Sequence, residues 1–260
     1  MSLINFEKSI KKIVKSYPDE KSDLKYAKIW TWLFINPLSI FLTYIFSLFR
    51  IQPNYVTLLS LFIGFFAIYF FYIGSFFLGA VFINISYLFD CIDGHLARYY
   101  KKTSDSGKFF DDVVGIIIWP FSWVSIGFGL YSNNDNMLDF LLNFLNISGF
   151  DNIYFILLGV IAGFTYEFRT LIGYKFFEIN NKENIFENST NKKVVYNKHG
   201  IIYIFIKNLL SIGGLMCPIL LISALYNFFS LTLFVYSSIF LFVFLFYCFR
   251  YYFILKKNNV

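Results

Sequence analysis

Charge is scarce in this chain: only 15% of its 260 residues are Asp, Glu, Lys or Arg, and it holds two His, three Cys and five Pro. So little charge cannot cover the surface of a soluble domain, and a mean hydropathy of +0.61 excludes that class. Cys91, Cys217 and Cys248 have neither paired nor metal-type spacing, which excludes a disulfide scaffold and a thiolate metal site. The apolar segments lack the ten-residue alternation of a membrane barrel. No internal repeat and no second globular domain is visible, and nothing in the basic residues points to nucleic acid.

What is present is a succession of long apolar runs. Tyr55 to Phe76, Phe77 to Arg98, Phe109 to Tyr131, Asn152 to Gly173, Ile201 to Ala224 and Phe228 to Tyr251 are each long enough, as helices, to cross a hydrocarbon core of about 30 Å. The expected fold is therefore an all-α integral membrane protein, a six-transmembrane-helix bundle. A further run, Ile29 to Phe49, is flanked by basic residues on both sides and carries Asn36, Ser39 and Thr43 at helical spacing. It reads as an amphipathic helix lying in the interface, so that residues 1–52 form a cytoplasmic segment preceding a six-span domain over 53–260. On this topology all 22 Lys and Arg residues fall on one side of the membrane. The positive-inside rule makes that side the cytoplasm, with both termini there and the formal charge of +6 spread over a basic cytoplasmic face of the cell membrane. The Asn- and Lys-rich segment 180–199 reads as a solvated loop on the same side.

Against this background the stretch from Asp90 to Gly115 is anomalous. A carboxylate at mid-bilayer costs roughly 2.5 to 3.5 kcal/mol, so a cluster of them needs a purpose. Asp90 and Asp93 are three residues apart and share one face of a helix. A short basic turn then lets the next span fold back and bring Asp111 opposite the pair. Three oxygen donors converging there suit a hard divalent cation such as Mg²⁺, which keeps open positions for phosphates. Gly94 and Gly107 leave room for a bulky diphosphate. Simple pairing of the carboxylates with Arg98, Lys101 or Lys102 would account for one Asp but poorly for three.

The spacing resembles the signature of the CDP-alcohol phosphotransferases, read here as Asp90, Asp93, Gly94, Ala97, Arg98, Gly107 and Asp111, seven of its eight fixed positions. A Pro-Asn-x-x-Thr entry to the first span (Pro53, Asn54, Thr57) adds to the likeness. The resemblance implies transfer of a substituted phosphate from a CDP-linked donor, such as CDP-diacylglycerol, to an acceptor alcohol, with release of CMP, in phospholipid or related polar-lipid synthesis. It also implies a homodimer and a Mg²⁺- or Mn²⁺-dependent site opening toward the cytoplasm. Carried over residue by residue, Asp90, Asp93 and Asp111 become metal ligands, and Asn54, Thr57, Gly94, Ala97, Arg98 and Gly107 become the CDP pocket.

The eighth position departs from the pattern. The signature ends in an Asp four residues after the third, assigned as the base toward the acceptor hydroxyl, and this chain has Gly115. Three readings follow: another base, with His95 and Asp112 as the nearest candidates; a transferase that works without one; or a non-catalytic member that binds a CDP-lipid. For the acceptor, a small alcohol or a phosphorylated polyol, Arg169 and Lys207 are the candidate basic contacts, with Glu167 as an alternative partner for Lys207.

Overall fold

A computed structural model of the chain describes residues 10–14, 28–133, 151–180 and 201–258. Every regular element among the described residues is helical. The solvated segment expected at 180–199 falls, beyond Asn180, outside them.

Helix α1, Thr31–Leu48, opens with a wide π-type turn over Thr31–Ile35. Helix α2, Pro53–Tyr72, places Pro53 at its start, where a missing N–H is harmless. Helix α3 spans Phe76–Tyr99 and α4 spans Asp105–Ser132. The start of α4 is fixed locally: the Ser104 hydroxyl accepts the Gly107 N–H at 3.1 Å, and Asp105 in the first turn complements the positive helix end. Then come α5, Ile153–Asn180, and the short α6, Ile201–Leu209. A π-type turn at Ile212–Met216 leads into α7, Cys217–Tyr226, and α8, Phe229–Asn258, ends the bundle.

Six of these helices are long and apolar enough to cross a membrane, so the protein is a multi-pass, all-α membrane protein. The number agrees with the sequence expectation and the membership differs. The run Ile201 to Ala224 does not form one straight helix, because Ser211 is extended and Gly214 leaves helical geometry at ψ −106°. Neighbouring groups crowd this break: a Cβ on Gly213 would collide with the hydroxyls of Thr31 and Tyr87, and one on Gly214 with the Asn208 carbonyl. In its place Thr31–Leu48 qualifies by length and apolarity.

The polar stripe of α1 also faces the other way from a helix resting on water. Ser39 and Thr43 are fully buried against the bundle, while Trp32, Phe34, Leu38 and Phe41 are exposed. Its outer face is thus apolar and suited to lipid. The contacts Trp30 Nε1 to Asn84 Oδ1 (3.1 Å), Thr31 to Tyr87 (2.7 Å) and Ser39 to His95 (3.3 Å) bind it to α3 from the middle of that helix toward its C-terminal end.

The remaining helices pack in both senses: α2 runs antiparallel to α3 and parallel to α4, α4 antiparallel to α5, and α5 parallel to α8. Close approach of α4 and α5 depends on glycine. A Cβ on Gly159 would stand 2.7 Å from the Trp123 carbonyl oxygen, and one on Gly163 would stand 2.6 Å from that of Pro120. Trp123, Tyr236 and Phe240 fill the core between α4 and α8.

Candidate functional site

The site forms where the end of α3 meets the beginning of α4. Asp93 is buried and Asp90 half-buried, one helical turn apart, and the antiparallel return of α4 sets Asp111 beside them. The carboxyl groups of Asp90 and Asp111 lie within hydrogen-bonding reach of each other. Two carboxylates so close need a positive charge between them, either a proton or a cation. The neighbours of Asp93 are the Asp111 carboxylate, the Thr57 hydroxyl, the Gly94 N–H and the Arg98 guanidinium. Even so, its Oδ2 is buried without a hydrogen-bond partner.

Two cavities meet at Asp111. The smaller, about 440 Å³, is lined by Asn54, Thr57, Asp93, Gly94, Ala97, Arg98, Gly107 and Asp111. It therefore gathers every residue that the signature assigned to a CDP pocket. Gly94 and Gly107 form parts of its wall that side chains would narrow: a Cβ on Gly94 would lie 3.3 Å from the Arg98 guanidinium, and one on Gly107 3.1 Å from the Ser104 hydroxyl. Lys102, Lys108 and the start of α4 add positive potential suited to phosphate.

The larger cavity, about 770 Å³, is lined by Asp90, Asp111, Asp112 and Gly115 on one side and by Arg169 and Lys207 on the other. The two basic residues expected to meet an acceptor thus share one cavity. Lys28, Tyr87, Tyr166 and Glu167 line it as well. Of these, Lys28 was hidden in a run of lysines. Its position beside the site follows from the bond between the Ile29 N–H and Asn208 Oδ1 at 2.9 Å, which no local pattern announces.

The two candidate bases separate. Asp112 lines the larger cavity but is exposed, about 100° around α4 from Asp111. His95 lines neither cavity; it is buried on the opposite face of α3, with Nδ1 against the Ser39 hydroxyl. Glu167 and Lys207 form no ion pair among the described residues, and the Arg169 guanidinium sits over the Tyr166 ring at 5.6 Å.

The donors of the acidic cluster suit Mg²⁺ or Mn²⁺ in kind, being carboxylate oxygens, one of them orphaned at Asp93. Among the described residues, however, no three acidic, His or Cys side chains are drawn together into a closed ligand set.

Comparison with known proteins bears on the same region. Residues 50–161 match the family model described as CDP-alcohol phosphatidyltransferase. No significant match was found among curated proteins or among solved structures.

Proposed function

Since residues 50–161 match the CDP-alcohol phosphatidyltransferase family model, we propose that the protein transfers a substituted phosphate from a CDP-linked lipid to an alcohol, releasing CMP. One observation carries this reading: Asp111 lines both the cavity that holds Asn54, Thr57, Arg98 and the two motif glycines and a second cavity with basic residues in its wall. A donor held in the first and an acceptor in the second would meet at Asp111.

In this scheme Asn54, Thr57 and Arg98 hold the cytidine diphosphate, and Gly94, Ala97 and Gly107 keep its wall open. Asp90, Asp93 and Asp111 would hold the divalent cation, which when bound neutralises the diphosphate and the charge developing on the leaving CMP. Arg169 and Lys207, with Lys28, orient the acceptor, and three cations around one cavity favour an acceptor that itself carries phosphate. The residues of the smaller cavity all lie inside the matched segment, whereas Lys28, Glu167, Arg169 and Lys207 lie outside it. Donor chemistry is accordingly the family's part, and acceptor choice belongs to the flanking helices. In this reading the end of the bundle that carries Arg98, Lys101, Lys102 and Lys108 faces the cytoplasm, by the positive-inside rule.

The test is direct. Purified protein in vesicles, given CDP-diacylglycerol, Mg²⁺ and a panel of alcohols and sugar phosphates, is expected to release CMP and yield a new lipid identifiable by mass spectrometry. Asp93→Asn should weaken Mg²⁺-dependent CDP binding by at least the 10- to 100-fold typical of losing even an outer partner of a metal site. Equal CDP affinity for both proteins, with and without Mg²⁺, would sink the assignment. Gly115 favours a second reading, a CDP-lipid binder without turnover; CDP binding with no CMP release from any pair would select it.

A further inference from the structure

Transfer to an alcohol sets free a hydroxyl proton, and the larger cavity must offer it a destination. Four carboxylates line that cavity: Asp90, Asp111, Asp112 and Glu167. Asp90 and Asp111 face each other and are the residues assigned to the cation, and Asp112 is exposed. Glu167 is half-buried on a span, and among the described residues it forms no ion pair. Its nearest basic neighbour in sequence, Arg169, sits over the Tyr166 ring and attracts Glu167 from a distance without forming an ion pair.

Glu167 and Gly115 line the same cavity, and the register of α4 against α5 brings Glu167 to the turn that holds Gly115. Gly127 lies against the Phe155 carbonyl, Gly159 against that of Trp123 and Gly163 against that of Pro120. Each rise of four residues along α5 thus meets a fall of three or four along α4. One further turn carries residue 167 alongside residues 115 and 116, both of which line the same cavity. At Gly115 the wall is open, since a Cβ built there meets no heavy atom within 4 Å. Room for a carboxylate therefore exists one helical turn from Asp111, with a carboxylate standing across it on the neighbouring helix.

We propose that Glu167 supplies from α5 the carboxylate that position 115 lacks on α4, acting as general base toward the acceptor; this rests on the transferase reading above. In the step it serves, the acceptor hydroxyl gives its proton to Glu167, and its oxygen forms a new bond to the donor phosphorus that carries the lipid. The bond from that phosphorus to the bridging oxygen breaks, and CMP leaves with the oxygen and the bonding electron pair.

The full-length chain in vesicles, assayed with CDP-diacylglycerol and its best acceptor, tests the assignment. Glu167→Gln, which keeps size and shape, is expected to lower kcat by about 10² to 10⁴ while Mg²⁺-dependent CDP binding stays intact. Adding Gly115→Asp to that variant should restore much of the lost rate, because the second carboxylate enters the open wall from the other helix. Full turnover by Glu167→Gln, or no rescue in the double variant, overturns the role of Glu167 and leaves the transferase reading standing. Absence of CMP release by the unmodified chain overturns both.

Discussion

Asp93 and His95 stand two residues apart on α3 and, about 200° apart around the helix, meet opposite surroundings. Asp93 lines the smaller cavity and keeps a buried oxygen without a hydrogen-bond partner, while His95 braces α1 through Ser39. The carboxylate is placed for a ligand and the imidazole for the fold. His95→Ala should therefore lower stability by about 1 to 3 kcal/mol, the usual result of stranding a buried partner, and this is readable as a lower thermal unfolding temperature in detergent. Loss of CDP affinity equal to that of Asp93→Asn would contradict this division of labour. The signature alone could not separate the two residues, since both fall within it; the direction of His95 depends on a helix more than forty residues earlier.

Among the elements, the contact between α4 and α5 governs the site most directly. The sequence Gly159-x-x-x-Gly163 suggests close helix packing, and both glycines lie against backbone carbonyls of α4. Gly163→Leu should force the helices apart, costing about 1 to 3 kcal/mol from overpacking and withdrawing Glu167 from the larger cavity. The expected result is a lower unfolding temperature together with slower CMP release; an unchanged unfolding temperature would show that the contact tolerates bulk. Two features of the elements escaped the sequence for physical reasons. The stripe of Ser39 and Thr43 establishes that α1 has a polar face, but in a membrane that face seeks protein partners as readily as water. Likewise the run Ile201 to Ala224, apolar apart from Lys207, Asn208 and two serines, reads as one span, while the structure breaks it between Ser211 and Gly214, where Thr31 and Tyr87, residues distant in sequence, pack against Gly213.

At the scale of the whole molecule, composition was enough to reveal the membrane bundle, and the rigid spacing from Asp90 to Asp111 was enough to outline the acidic cluster and the α3 and α4 part of the smaller cavity. Both are local properties, carried by helical periodicity and one short turn. The larger cavity was only partly legible, because it draws on Lys28 ahead of α1 and on α3, α4, α5, α6 and α8 together. Arg169 and Lys207, with Glu167 as a partner, stood out as isolated charges near apolar spans, while Lys28 depended on assembly. Lys207→Ala should raise KM for a phosphorylated acceptor about tenfold or more, matching loss of a charge-assisted contact of roughly 1.5 to 3 kcal/mol, with little change in KM for the CDP-linked donor. Equal shifts for both substrates would argue against separate cavities. The common wall at Asp111 has a stereochemical consequence: two substrates arriving from opposite sides can exchange the lipid phosphate in one in-line displacement, without a covalent stop on the protein, inverting the configuration at phosphorus.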